Sequence, residues 1–131
     1  MTYDFTLNPR AFAAMLAGSK RVEIRVKTEA EPFDYACLAA GDTLRFQNFE
    51  SGERLAVTLT AAVHYPHIEA LLEAEGTEYT LSSTNDPVKG AASVRSFAGY
   101  AEGMLKNGCW ALRFENARAL EAGVTFAAAL A

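Results

Sequence analysis

The chain has 131 residues, half of them apolar and about a fifth charged, the balance of a globular protein long enough for one core and too short for two domains of ordinary size. Its net charge of −4 argues against sequence-blind binding to long nucleic acid, which needs a broad basic surface, and leaves only a local basic cleft open. No apolar run reaches bilayer length, the N-terminus has neither the basic nor the apolar region of a signal peptide, and Cys37 and Cys109 lack metal or redox spacing.

These features predict a cytoplasmic protein off the membrane, with two free thiols and Cys109 buried in a strand. Along the chain, Asn8 is a fitting N-cap and Pro9 a fitting first helical residue. Phe12, Met15 and Leu16 then form an inward stripe, and Gly18 stops the helix. Val22, Ile24 and Val26 alternate with Arg21, Glu23, Arg25 and Lys27, the pattern of a half-buried strand. Glu23 and Arg25 share one face of it. Lys20 has the wrong parity to join them unless the Gly18-Ser19 turn or a bulge rotates it there.

A polar break at Glu29-Ala30-Glu31-Pro32 precedes a loop from Tyr35 to Ala40. Gly41-Asp42 turns into a strand from Thr43 to Phe49 with Leu44 and Phe46 on one face. Ser51-Gly52 closes a hairpin into the longest strand, Arg54 to His64, where Leu55, Val57, Leu59, Ala61 and Val63 alternate. Tyr65-Pro66 ends it. A short helix with Ile68, Leu71 and Leu72 inward follows, stopped at Gly76.

Thr77 to Thr84 is irregular and polar. Asp86-Pro87 opens another helix whose inward face is Val94, Phe97, Ala98 and Ala101, weakened by Gly90 and Gly99. Asn107-Gly108 turns into a strand from Cys109 to Glu115 with Trp110, Leu112 and Phe114 on one side. Beyond Asn116 the pattern fades, and Leu120, Val124 and Phe126 either complete a barrel built by these strands or lie across it.

The charges are segregated. Lys20, Arg21, Arg25 and Lys27 cluster near the first predicted strand, whereas Glu69, Glu73, Glu75 and Glu78 crowd a later segment. Periodicity alone reads the first cluster as a solvated edge-strand face or an ion-pair ladder. Gly18, Lys20, Glu23 and Arg25, however, reproduce the G-x-K-x-x-E-x-R motif, and the chain resembles the ASCH domain (activating signal cointegrator homology). Helix, motif strand, glycine-aspartate turn and hairpin follow in that family's order.

The resemblance implies an α+β fold over residues 1–131, a single PUA-like mixed β-barrel flanked by about three α-helices. It also implies a cleft between barrel and helices that takes RNA or a small nucleoside or nucleotide, lined by Gly18, Lys20, Glu23 and Arg25. In such a cleft lysine supplies a point charge and arginine a planar fork for an anionic or carbonyl-bearing ligand. Glu23 orients either cation or accepts a proton from a hydroxyl or water.

Some bacterial relatives are amidohydrolases that deacetylate acetylcytidine with a lysine, a threonine and a glutamate. Lys20 matches the lysine, Glu23 stands in the threonine's place, and Glu75 matches the distal glutamate. A carboxylate at position 23 fits water activation better than covalent acyl transfer. Other relatives bind RNA or are ascribed ribonuclease activity, for which Lys20 would stabilise phosphorane charge while Glu23, Tyr65 or His67 handles protons.

Tyr65, at a strand end, is also a candidate to stack on a base. So is Tyr100, whereas Trp110 sits in the apolar stripe and reads as core. The bland reading of His67 is a helix N-terminal residue. His64 and His67 are separated by Tyr65-Pro66, which forbids regular helix, so no metal site is expected. No cofactor is expected, and a non-catalytic ligand- or partner-binding module is the third reading. The sequence leaves the oligomeric state open.

Overall fold

A computed structural model describes residues 1–121, so the expectations for Val124 and Phe126 lie outside the described residues. The elements run β1 (Thr2–Leu7), α1 (Pro9–Ala17), β2 (Val22–Arg25), a 3-10 turn (Tyr35–Cys37), β3 (Thr43–Asn48), β4 (Arg54–Tyr65), α2 (Ile68–Glu75), α3 (Pro87–Arg95), α4 (Tyr100–Asn107) and β5 (Cys109–Leu120). The five strands form one mixed sheet in the order β1-β3-β4-β5-β2, with β1 parallel to β3 and every other ladder antiparallel. Curled into half a barrel and covered by helices, the sheet gives an α+β fold of PUA-like type.

Alternation along the strands, shifted in phase at two bulges between β4 and β5, sends side chains to two cores, one on each face of the sheet. The first gathers Phe5, Phe12, Met15, Tyr35, Phe46 and Leu112 beneath α1. The second gathers Val22, Ile24, Ile68, Leu71, Val94 and Ala111 beneath the other helices. Each large side chain so buried contributes about 1.5–3 kcal/mol before entropy is counted.

Several expectations change in detail. A first strand, β1, precedes α1; Phe5 sits opposite Phe46 in the parallel ladder, and their rings pack 5.8 Å apart. Leu16 is exposed, because the buried stripe of α1 is Ala11, Phe12 and Met15 and Leu16 falls at its edge. In β4 the alternation holds through Leu59, then a bulge at Thr60 changes its phase. Ala62, not Ala61 or Val63, therefore packs on the first core.

Among the described residues the helices number four, against the about three expected. The segment carrying Val94, Phe97, Ala98 and Ala101 is broken by Gly99, whose φ of 76° is left-handed, and Phe97 at that break is exposed. β5 continues past Glu115 to Leu120 through a second bulge, where Asn116 takes a φ of 58°, a conformation that asparagine tolerates better than most residues. Among the described residues no helix is long and apolar enough to cross a membrane. Cys109 is buried in β5 and Cys37 is exposed, both as free thiols.

Candidate functional site

The end of α1 decides where Lys20 points. Gly18 caps the helix at φ 82°, a left-handed turn that suits glycine. Ser19 and Lys20 then both donate their backbone N–H to the Ala14 carbonyl, at 3.0 and 3.1 Å. Lys20 is thus held before β2 begins at Val22, outside the parity of the strand. Its Nζ comes to 3.4 Å from Oε1 of Glu23, and the other Glu23 oxygen accepts from Nε of Arg25 at 3.0 Å.

The three side chains do not face bulk water. Lys20, Glu23 and Arg25 are 4%, 7% and 5% exposed, so the reading of a solvated edge-strand face is replaced by a buried cation–carboxylate–cation cluster. Glu23 lies opposite Leu112 and Arg25 opposite Trp110 in the antiparallel ladder. That register places both on the sheet face of the first core.

Arg25 also spans the opening of the half-barrel. Its Nη2 donates to the Thr6 carbonyl of β1 at 2.6 Å, joining the two edge strands, and its guanidinium lies 5.3 and 5.6 Å from the ring centres of Phe5 and Phe46. Burial is the largest single influence and works against its charge, but Glu23 acting together with Tyr100, Tyr35 and Glu31 outweighs it and raises the pKa above the ordinary arginine value.

Lys20 is anchored to the Thr77–Thr84 segment. Its Nζ donates to the Thr80 carbonyl at 2.6 Å, and the backbone N–H groups of Arg21 and Val22 donate to the Tyr79 carbonyl at 2.7 and 3.1 Å. Burial pulls the Lys20 pKa below 10.5 despite the opposing pull of Glu23. An ammonium has three donors. Thr80 and Glu23 face it, leaving capacity for one more acceptor.

A cavity of about 380 Å³ opens above this cluster, between the ends of β1 and β2, the 80–83 loop, α3 and Tyr100. Thr80 belongs to its wall, and the Thr80 hydroxyl is buried with no hydrogen-bond partner among the described residues. The Tyr100 phenol, also in the wall, is raised well above its usual pKa, chiefly by burial. The arrangement offers a charged donor, a carboxylate acceptor and an unused hydroxyl around one small space.

The other predicted residues lie elsewhere. The Tyr65 hydroxyl donates to Glu75, whose carboxylate also takes a bidentate pair from Arg113 at 2.8 and 2.6 Å. Tyr65 pairs with Cys109 in the ladder, which sets it and Arg113 on the opposite sheet face from Glu23. Arg113 holds the Glu75 pKa below the ordinary carboxylate value, against burial. His67 caps α2, its Nδ1 accepting from Ala70 N–H at 3.1 Å. Gly18 shapes the turn without reaching the cavity wall. His64 stacks edge-on against half-buried Trp110.

The structure therefore brings Lys20, Glu23 and Arg25 together and separates them from Tyr65, His67 and Glu75. Thr80, Phe49 and Phe97 in the cavity wall were not singled out from sequence. The loop around Thr80 has no apolar period to mark it, Phe97 reads as part of a helix's inward face, and Phe49 reads only as the end of a strand.

No protein-family model matches the sequence, and no curated protein matches it significantly. Solved structures do share the fold. The crystal structure of the hypothetical protein PH0355 is 26% identical with a TM-score of 0.73, over 88% of this chain and 98% of that one. The solution structure of protein PF0455 from Pyrococcus furiosus is 24% identical with a TM-score of 0.65, over 92% of this chain and 99% of that one. A serine-to-alanine mutant of ZmASCH from Zymomonas mobilis is 18% identical with a TM-score of 0.63, over 90% of this chain and 70% of that one. The chain thus has the fold of an ASCH-domain protein.

Proposed function

We propose that this chain is an ASCH-type protein whose cleft at Lys20, Glu23 and Arg25 binds a small nucleoside-type ligand. The observation that carries this reading is the buried lysine–glutamate–arginine cluster at the floor of a 380 Å³ cavity, a size within the range of small-molecule sites. The cluster is recessed and the chain carries a net charge of −4, which favours a compact ligand over a long RNA strand. Lys20 donates to a carbonyl or ring acceptor of the ligand. Glu23 accepts from an amine or hydroxyl. Arg25 holds Glu23 in place and keeps the two edge strands at a fixed spacing.

One arrangement favours hydrolysis as a second reading: an ammonium and a carboxylate face each other 3.4 Å apart at the same cavity. Glu23 would take a proton from water as its oxygen adds to an amide carbonyl, while Lys20 steadies the developing oxyanion. The carbon–nitrogen bond then breaks and the proton passes to the leaving amine. Cytidine and acetylcytidine, added separately to wild type, Lys20→Met and Glu23→Gln, test both readings by calorimetry and product chromatography. Wild type should bind at least one nucleoside, and folded Lys20→Met should lose at least about tenfold in affinity. A folded wild-type protein that binds neither of these, nor adenosine, guanosine or uridine, contradicts the binding reading. Binding with acetylcytidine left intact contradicts hydrolysis alone.

A further inference from the structure

The lips of the cleft carry two aromatic side chains that the cores leave exposed. Phe49 and Phe97 are 66% and 45% exposed, yet both belong to the wall of the cavity whose floor is Lys20, Glu23 and Arg25. They come from different layers: Phe49 from the turn after β3, Phe97 from the corner between α3 and α4. Both are held in place. The Phe49 N–H donates to the Leu7 carbonyl at 3.1 Å, and the Asn48 side chain accepts from Glu50 and Ser51 N–H at 2.9 and 3.2 Å, fixing that turn. Phe97 packs edge to face on Tyr100 with ring centres 5.5 Å apart.

The charges of the wall balance. Its cations are Lys20 and Arg25 and its anions Glu23 and Glu31. Arg25 is already committed to Glu23 and to the Thr6 carbonyl. A phosphate is held by several uncommitted cationic donors; here it would find a single one, on Lys20, beside the two carboxylates of Glu23 and Glu31. Unmet hydrogen-bonding capacity is nevertheless present, in the Thr80 hydroxyl and the third donor of Lys20. Aromatic lips above a polar, electroneutral floor suit a flat ring with a polar edge, because stacking accepts any π-face and the floor reads the edge.

We propose that Phe49 and Phe97 are the ring-binding lips of the cleft, receiving an uncharged planar heterocycle whose polar edge meets Lys20 and Glu23, and that this floor disfavours phosphorylated forms of the same ring. The proposal rests on the nucleoside reading above and adds to it the residues that hold the ring and the discrimination against phosphate.

The test is calorimetric titration of adenosine, guanosine, cytidine and uridine, and of their 5′-monophosphates, into wild type, Phe49→Ala, Phe97→Ala and Lys20→Met, each checked for folding by thermal melting. The best-bound nucleoside should bind at least about tenfold more tightly than its monophosphate. Each phenylalanine-to-alanine change should weaken it at least about fivefold, the lower end of a stacking contribution. A monophosphate bound as tightly as its nucleoside overturns the proposal. So does wild-type affinity in both alanine variants; if Lys20→Met alone loses binding, the nucleoside reading stands without the lips. Wild type that binds no nucleoside overturns both.

Discussion

Arg25 on one edge strand donates to the Thr6 carbonyl on the other edge strand at 2.6 Å, so a side chain bridges an opening that no backbone ladder among the described residues closes. The same guanidinium holds Glu23 through Nε at 3.0 Å. Fold and site therefore share one residue. The cleft keeps its width because Arg25 spans it, and Glu23 keeps its orientation towards Lys20 because Arg25 occupies its other oxygen.

Replacing Arg25 with lysine tests the bridge. One ammonium lacks the rigid fork that reaches both Glu23 and Thr6. Loss of a charge-assisted hydrogen bond in a buried place should cost about 1.5–3 kcal/mol, read as a lower denaturant midpoint with unchanged slope. An Arg25→Lys protein as stable as wild type would contradict the bridging role.

Glu23 should matter more to stability than Lys20. Glu23→Gln leaves two buried cations, Lys20 and Arg25, without their shared counter-charge, and breaking a buried pair in that way costs about 3–5 kcal/mol. Lys20→Met leaves the Glu23–Arg25 pair intact and replaces the lysine stem with apolar volume, so its cost should be about 1–2 kcal/mol, closer to a conservative core change. Chemical denaturation of the two variants side by side checks the order, and the reverse order would remove Glu23 from the centre of the cluster.

The Lys20 pKa is drawn below 10.5 by burial, with Glu23 opposing. In the interval between the folded value and 10.5 the unfolded chain therefore binds more protons, and stability rises with pH. The penalty of the buried ammonium is fully present below the folded pKa and is relieved as pH climbs towards the unfolded value. The difference in unfolding free energy between wild type and Lys20→Met should shift in favour of wild type on going from neutral pH to 10.5. A shift in the other direction would mean that Glu23 dominates burial.

Glu75 should behave as a structural residue. Arg113 holds its pKa below 4.5, so its contribution is present above 4.5 and is lost as pH falls through the folded value. Glu75→Gln should cost about 1 kcal/mol at neutral pH, the half-exposed Arg113 limiting the effect through solvent screening, and the difference should close in acid. Nucleoside affinity, measured on the same variant, should stay at the wild-type level. A tenfold loss would place Glu75 in the site that the sheet separates it from.

Much of this was legible in the sequence because local signals and tertiary packing agree. Asn8-Pro9 and Asp86-Pro87 do open helices, Gly18 does cap one, and Leu44, Phe46, Leu55 and Val57 are fully buried at their predicted parity. What failed to read were changes of phase. The bulges at Thr60 and Asn116 shift which residues face the core, and a period-two count cannot see an inserted residue.

In the motif, Glu23 and Arg25 follow from alternation, while Lys20 depends on two backbone hydrogen bonds to Ala14. The sequence posed that as a condition, and the turn satisfies it. Tyr65 and Glu75 meet each other and Arg113 across the sheet, a pairing set by which face β4 presents after its bulge, and no spacing in the chain encodes it.

The most direct measurement is a crystal structure of the protein soaked with the nucleoside that binds it best. Density is expected in the cleft, with the ligand's polar edge within hydrogen-bond distance of Lys20 Nζ and Glu23. Density confined to another surface, such as the groove between α2 and α3, with the Lys20–Glu23 pair untouched, would contradict it.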